Sequence, residues 1–591
     1  MRKWFIILFL LLAYVSMCQQ PLYEHRGVQY ATHGTDFWFC LPRTKNGMST
    51  NHACLYIMSE HNCTVTIRND LLDFTFTKRI ISCHEINTRL DTLNMIELPD
   101  NIVNFSDEDT TPQPRGFHIT STDTMCVYLF AYSAGSIDVT CLLPTDMLRD
   151  EYIVHTTQKY GVPDQLVNVY SIFQVVATED NTVVDITLSD LDSRGAAADS
   201  VLTVRLDRGM MYNVKAGDIC VKYPQLCNGG EVVEGQFDTT DLYQHMFSTP
   251  RPPMFLQVPN NIDLSGTHIK ARDNKRIAVF QGSLMGVVGG VGNADLMYEQ
   301  AIPIRYAGKE FLVPNLMMSR YDYIKVTGLV DGTVVTFMNP SDPSLPTRTL
   351  TVDARTSEWF LQDTSEGPFY ITATHPIVAS VWSSGNGFRA PLLRGDPAML
   401  MLVPVEWWHS GPANGSQVFW VDENRNGWAY YHSIHLFTRT ADVGGMFFNR
   451  NPIDTMFHPI PGTPYSYALI KYNSTTITRE AHRVENRRGS PFWVVADAEK
   501  DAEHSIYSYA HLQRGKNYLE VNDVPADQLP EDSIWCLYDP IRFHGWVERP
   551  ADSIIWDFGD GNVERYRYED GQWVTHTFAD TGRYEVKRII Q

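Results

Sequence analysis

Apolar and polar residues alternate with a period of two along much of this chain. The clearest stretches are Asn62-Cys63-Thr64-Val65-Thr66-Ile67, Asn181-Thr182-Val183-Val184-Asp185-Ile186 and Gly332-Thr333-Val334-Val335-Thr336-Phe337. Val65/Ile67, Val184/Ile186 and Val335/Phe337 fall on one face, and Thr64/Thr66, Val183/Asp185 and Val334/Thr336 on the other. Such alternation directly after an Asn or Gly turn predicts a half-buried hairpin strand. Further short strands are expected over 202–206, 277–280, 349–352 and 377–382, and no long stretch carries helical periodicity. The pattern predicts an all-β fold of tandem β-sandwich-like repeats.

The alternating stretch is the middle phrase of three that recur together. Each copy opens on an acidic-aromatic strand: Asp36-Phe37-Trp38-Phe39, Glu151-Tyr152-Ile153-Val154 and Glu310-Phe311-Leu312-Val313. Each closes on an Ile strand, an Asp and a hydrophobic run ended by Pro: Ile119/Asp138/Pro144, Ile269/Asp295/Pro303 and Ile371/Asp396/Pro404. The expected organisation is unit 1 over 19–148, unit 2 over 149–307 with a loop insertion at 220–259, and unit 3 over 308–412. A divergent unit 4 is expected over 413–522, a linker over 523–532 and a small sandwich over 533–591. In that last segment Ile554, Trp556 and Phe558 point inward on a strand that runs into an Asp-Gly turn. Repetition on this scale, with no catalytic signature tied to it, favours a surface built for binding.

The N-terminus changes the picture of where the chain works. Arg2 and Lys3, an apolar run from Trp4 to Val15 and Ser16-Met17-Cys18 read as a signal peptide over 1–18. The run is shorter than the ~20 residues a membrane helix needs, so no transmembrane span is expected. A formal charge of -21 argues against nucleic acid as a partner, which needs a basic face. Ten cysteines include no Cys-x-x-Cys pair, so they set out no disulfide framework. Cys126 with Cys141, and Cys220 with Cys227, are the candidate bridges.

Two resemblances follow from particular residues. Trp556-Asp557-Phe558-Gly559-Asp560-Gly561, with His576-Thr577-Phe578, Gly582 and Tyr584, closely resembles a PKD domain. That implies an immunoglobulin-like sandwich of extracellular proteins, used as a spacer or an interaction module. Residues 30–520 resemble the N-terminal domain family of IgGFc-binding protein. The matching phrases are Gly34 to Trp38, Ala177 to Thr182, Asp263-Leu264-Ser265-Gly266-Thr267, and Asp295 through Glu299-Gln300 to Pro303. Together with the leader, the combination is similar to surface proteins of Bacteroidota. It implies export to the exterior of the outer membrane, or secretion.

Candidate chemistry is sparse. No His-Glu-x-x-His, Gly-x-Ser-x-Gly, P-loop or paired-cysteine metal motif occurs. Asp295, Glu299 and Gln300 are candidates for contacting a partner, weighed against a turn-capping role. Trp407 and Trp408 are candidates for a sugar-stacking platform, weighed against core packing. Asp557 and Asp560 are candidates for a structural calcium, weighed against turn formation. No other cofactor and no metal are expected.

The expected function is that of an exported, non-enzymatic binding or adhesion protein. Loops on its β-repeat scaffold would contact an extracellular protein or glycoprotein. The alternatives are a glycan-binding or glycan-degrading accessory protein, such as a glycoside hydrolase with acids far apart in sequence, and a structural part of a surface or motility assembly.

Overall fold

Each of the first three phrase sets builds the same two four-stranded layers. The computed structural model describes residues 33–42, 52–59, 61–82, 94–103, 111–133, 136–157, 171–217, 227–228, 231–232, 262–286, 288, 295–316, 321–338, 348–363, 368–383, 397–408, 416–420, 431–473, 481–488, 490–500, 503–509, 519–522, 524–525, 538–545, 553–567, 573–582, 584 and 586–590. The signal-peptide residues 1–18 and Cys220 lie outside them.

Repeat 1 comprises β1 (Gly34–Phe39), β2 (His52–Ser59), β3 (Cys63–Asn69), β4 (Phe74–Ile80), β5 (Met95–Glu97), β6 (Phe117–Ser133) and β7 (Ser136–Cys141). The first half of β6 pairs with β3 and β1, and its second half with β2 and β7. The layers therefore run β4-β3-β6-β1 and β5-β2-β6-β7.

Repeat 2 comprises β8 (Glu151–Ile153), β9 (Ser171–Ala177), β10 (Thr182–Thr187), β11 (Val201–Leu206), β12 (Met211–Lys215), a short hairpin of β13 (Cys227–Asn228) and β14 (Glu231–Val232), then β15 (His268–Ala271), β16 (Ile277–Gly286) and β17 (Asp295–Gln300). Here the long strand is cut in two by a 3-10 turn, Arg272–Asn274, in which Asp273 and Asn274 are left-handed. The layers separate into β11-β10-β15-β8 and β12-β9-β16-β17.

Repeat 3 restores the uncut strand: β18 (Gly308–Val313), β19 (Tyr321–Gly328), β20 (Thr333–Met338), β21 (Arg348–Val352), β22 (Ser357–Asp363), β23 (Phe369–Ser383) and β24 (Ala398–Met401). Its strand order matches repeat 1. Repeat 4 is different in order. Its strands are β25 (Ser416–Trp420), β26 (Tyr431–Arg439), β27 (Met446–Phe448), β28 (Asn451–Pro452), β29 (His458–Pro459), β30 (Tyr465–Asn473), β31 (Ala481–Asn486), β32 (Phe492–Lys500) and β33 (Glu503–Tyr509). They form sheets β25-β31-β27-β28 and β29-β30-β26-β32-β33. Among the described residues the one α-helix is Asp100–Val103.

The alternating phrases become β3, β10 and β20, with Val65, Ile67, Val184, Ile186, Val335 and Phe337 buried. Their entry turns are set by side chains. Asn181 (φ 55°) and Gly332 (φ 68°) occupy the left-handed position that Asn and Gly tolerate best. Asp207 accepts the Asn181 amide at 2.9 Å while Asp180 accepts the Arg208 amide at 3.0 Å. In repeat 3, Asp353 accepts the Gly332 amide at 2.8 Å and Asp331 the Ala354 amide at 2.9 Å. Each pair clasps two neighbouring strand ends and fixes the register of the hairpin.

Residues 29–512 form one compact unit whose repeats share their core. One apolar cluster runs from Phe37 and Phe117 through Phe280 and Tyr306 to Val381 and Trp493, touching all four repeats. A second joins Tyr56, Tyr128 and Phe130 of repeat 1 to Leu436, Phe448 and Val494 of repeat 4. The closing strands make this arrangement cyclic: β7 packs against β17 and β33, and β24 packs against the same two. The four repeats thus close on themselves around β7, β17, β24 and β33, leaving no terminal repeat core to cap.

Residues 513–591 form a second unit. Leu519–Val521, Val524–Pro525, Ile541–Gly545 and Trp573–His576 make one sheet, and Ser553–Asp557, Val563–Arg567 and Lys587–Ile590 another. Ile554, Trp556 and Phe558 are buried between them with Val521, Ile541, Phe543 and Val574. The first two strands fall where the fourth repeat and a linker were expected, because Leu519–Val521 pairs with Ile541–Gly545.

Candidate functional site

The cyclic closure decides the fate of the most polar predicted residues. Asp295, Glu299 and Gln300 lie on β17, at the centre of the ring, and all three are buried. The Thr140 hydroxyl on β7 donates to Glu299 Oε2 at 2.9 Å, and the Leu143 amide donates to Gln300 Oε1 at 2.7 Å. Asp138 accepts the amides of Val139 (2.8 Å) and Tyr298, and Asp295 accepts that of Leu296 at 2.7 Å. Burial, then the nearby Asp138 carboxylate, pushes Glu299 well above the usual carboxylate range. Glu299 and Gln300 join repeats 1 and 2, and none of the three offers a surface to a partner, which corrects their candidacy as contact residues. The void lined by Ile302, Tyr306, Phe311 and Met401 measures about 10 Å³, too small and apolar for more than a water.

Trp407 and Trp408 do not form a sugar platform. They follow Pro404 in a 3-10 turn, where the Trp407 amide donates to the Pro404 carbonyl at 3.0 Å. The same turn follows the other closing prolines, with Met147 bonded to Pro144 at 2.8 Å and Tyr306 to Pro303 at 2.9 Å. These three equivalent residues meet in succession: Tyr306 bonds Met147 Sδ at 3.6 Å and stands edge-on to Trp407 at 5.3 Å. Trp408 is buried against Trp493, Phe437 and Tyr465 of repeat 4.

Asp557 accepts the Gly559 amide, and Asp560 accepts the Asn562 amide, both at 3.0 Å. Asp560 also pairs with His576 at 2.7 Å. Among the described residues no third acid joins them. Cys126 and Cys141 are thiols, not a disulfide. The register sets Cys141 opposite Tyr128, so the two sulfurs sit diagonally across β6 and β7, and Cys126 meets His33 Nε2 at 3.2 Å. Cys227 lies on β13, while its candidate partner Cys220 is outside the described residues.

The acid that opens each repeat has a partner that sequence reasoning did not find. Asp36 Oδ2 takes a hydrogen bond from His118 Nε2 at 2.6 Å, Glu151 Oε1 from His268 Nε2 at 2.8 Å, and Glu310 Oε1 from the Tyr370 hydroxyl. The donor immediately precedes the Ile of the third phrase each time, in Ile119, Ile269 and Ile371. First strand and Ile strand pair with Trp38 opposite His118, Ile153 opposite His268 and Leu312 opposite Tyr370. Cross-strand side-chain bonding of this kind ties the repeat's first and last segments.

Repeat junctions carry a second set of equivalent positions. Cys40, just after β1, is held by Tyr298 (3.3 Å) and Gln174 (3.4 Å) of repeat 2. His155, just after β8, is held by Ser380 and Thr327 of repeat 3, both at 2.8 Å. Beside it the fully buried Lys325 ammonium donates to the Thr156 carbonyl (2.6 Å), Asp263 (2.7 Å) and Ser265 (2.5 Å), and lies 4.1 Å from the Trp359 ring centre. Burial pulls Lys325 below its ordinary range against the opposing effect of Asp263. Burial alone would raise Asp263, but Lys325 holds it below the usual carboxylate range.

One polar cluster remains partly open. Around the Asp36–His118 pair of repeat 1, the Arg68 side chain donates to His118 Nδ1 at 3.2 Å, and Arg208, from the tip turn of repeat 2, approaches the same nitrogen at 3.2 Å. Trp38 stacks on His118 at 4.3 Å, with the Arg208 guanidinium 5.3 Å from its ring centre. Nδ1 therefore accepts while the Nε2 proton goes to Asp36, a tautomer assigned from the network. Burial would raise the Asp36 carboxyl, yet the hydrogen bonds from His118 and Thr145 hold it below its ordinary value.

The family model described as IgGFc binding protein matches residues 138–496, from β7 to β32, and a PKD domain model matches 522–591. No curated protein matches the chain. Among solved structures, similarity extends to a bacterial ice-binding adhesin (10% identity over 58% of this chain and 86% of that one, TM-score 0.09). It also extends to the chicken CNTN1 FN1-FN3 domains (8%, 58% and 98%, 0.10) and to trypsin-activated alpha-2-macroglobulin from Escherichia coli (8%, 95% and 47%, 0.12). With the matched span covering more than half of its length, the chain belongs to the IgGFc binding protein family, and a PKD domain follows.

Proposed function

We propose that this protein is an exported, non-enzymatic binding protein, whose closed ring of β repeats presents loops to an extracellular protein or glycoprotein and whose PKD domain acts as a spacer. Family membership supports binding as the activity. The observation that carries the reading is where the conspicuous acids go. Asp138, Asp263 and Glu299 are bonded across repeats inside the ring, and Asp295 is buried there. The outward features are tip turns and the Arg68–Arg208 cluster, which is how rigid scaffolds carry recognition loops.

The test is capture by the full mature chain. It is presented with secreted host glycoproteins, the same glycoproteins after deglycosylation, and the immunoglobulin Fc that the family name evokes. Saturable capture of any of these is expected. Turnover of a glycan substrate without stable capture would replace this reading with the hydrolase alternative.

A further inference from the structure

We propose that Arg68 and Arg208 form an oxyanion notch at the junction of repeats 1 and 2, taking one carboxylate or sulfate group carried on an extracellular glycan. The inference rests on the binding reading above and names the chemistry of its ligand. Two guanidiniums from different repeats converge on a single acceptor, His118 Nδ1. That nitrogen offers one lone pair, whereas each guanidinium carries five N–H donors. Among the described residues neither side chain has another hydrogen bond or an ion pair. Two like charges are therefore held together with most of their donors unused.

Asp36 feels the charge of Arg208 but makes no ion pair with it. Asp36 stands on the far side of the imidazole and already takes hydrogen bonds from His118 and Thr145. Asp180 and Asp207, flanking Arg208, accept the backbone amides of Arg208 and Asn181. The scaffold itself does not call for arginines at these places. Counted through the repeats, Arg68 corresponds to Thr187 on β10, and Arg208 to Ala354 in the tip turn of repeat 3. The acid–His pair persists there as Glu151–His268 without them. The buried Trp38 ring lies 5.3 Å from the Arg208 guanidinium, and a planar fork of donors matches a carboxylate or sulfate better than a point charge does. On a chain of net charge -21 such a site binds weakly and in a salt-dependent way.

Isothermal titration of the full chain at low ionic strength separates the sources. The probes are sialyllactose for the sugar carboxylate, galactose 6-sulfate for the sulfate ester, and lactose as the neutral parent. Binding of at least one anionic sugar, but not of lactose, is expected. R208Q and R68Q each should weaken it at least about tenfold, the loss of a charge-assisted hydrogen bond. R205Q, an exposed arginine on the adjacent β11, should leave affinity unchanged. Equal affinity in R208Q and the parent, or lactose binding as well as the anionic sugars, overturns the notch. If neither anionic sugar binds while glycoproteins are still captured, the notch fails and the binding reading stands. If nothing is captured, both fail.

Discussion

The junctions between repeats 1 and 2 and between repeats 2 and 3 share one frame and fill it differently. In both, a glycine backs onto a carbonyl of the next repeat's tip turn. A Cβ on Gly116 would stand 2.9 Å from the Gly209 oxygen, and one on Gly266 2.0 Å from the Arg355 oxygen. In both, the residue ending the first strand is gripped by polar side chains of the following repeat. The first junction does this with neutral groups, Cys40, Gln174 and Tyr298, the last donating to Gln174 at 2.7 Å. The second places Lys325 where the first has Gln174, and adds Asp263 as its counter-ion. Geometry is thus set by backbone approach, while the polar filling is free to be neutral or ionic. The ionic filling gains less than its short distances suggest, because both ions lose hydration.

The largest effect expected from this difference is on removal of Lys325. K325M leaves the half-buried Asp263 beside Thr156 and Ser265 without its cation, and should destabilise the ring by about 3 kcal/mol, the lower end for breaking a buried pair. Adding D263N should return a large part of that loss, since the uncompensated charge is then gone. Calorimetric melting of the full chain, with the ring transition followed separately from that of the PKD domain, checks both. A double variant as unstable as K325M would show that the charge is not what matters.

Close behind in size is the shared frame. G266A drives a methyl group into the Arg355 carbonyl at a residue with φ of 87°, and should cost about 3 kcal/mol, the upper end for overpacking. The loss should appear as faster amide exchange along β15 and β20. Unchanged exchange there would mean the tip turn can retreat, and that the close approach is not what aligns the repeats.

Some of this was legible in the sequence and some was not, for physical reasons. Alternation placed Val65, Ile67, Val184, Ile186, Val335 and Phe337 correctly, because a period of two is a local property of a half-buried strand. The phrase Asp263 to Thr267 was visible as a pattern, yet its meaning needed Lys325 and Arg355 from the next repeat. Likewise the opening acids Asp36, Glu151 and Glu310 find partners that strand pairing alone brings near. Asp295, Glu299 and Gln300 leave a contact role and a turn-capping role both open in the sequence, because nothing local says which strand of a closed ring is innermost. Asp138 and Asp295 looked equivalent, but Asp138 stands two residues nearer its closing proline. For Trp407 and Trp408 the sequence leaves a platform and core packing both open, and the 3-10 turn after Pro404 decides for packing.

A smaller effect belongs to the neutral junction. Q174M removes the acceptor of the Tyr298 hydroxyl and of the Cys40 thiol, and should cost about 1–2 kcal/mol for the polar groups left unsatisfied. The comparison is sharpened by measuring Q174M and K325M under identical conditions. Equal losses would break the distinction between neutral and ionic filling, because desolvated charge would then carry no extra penalty.

The smallest expected effect is on acid stability, and it separates repeat 2 from repeat 3. The hydrogen bond from His268, with Lys270 adding a second, brings Glu151 from its ordinary value of 4.5 down to about 2. A carboxylate lowered in the folded state contributes stability that is fully present above its unfolded pKa and is lost as pH falls through the folded one. The contribution of Glu151 should therefore fade between about pH 4.5 and about pH 2. It is modest, since the group is more than a third exposed and water screens the pair. E151Q should melt slightly lower than the parent at pH 6 and converge with it near pH 2. In repeat 3 the equivalent acid, Glu310, takes its bond from a tyrosine hydroxyl instead of an imidazole, so E310Q should show no cation-dependent component when salt is raised. Salt sensitivity of the same size in both variants would mean that Lys270 and His268 add nothing beyond the cross-strand hydrogen bond that all three repeats share.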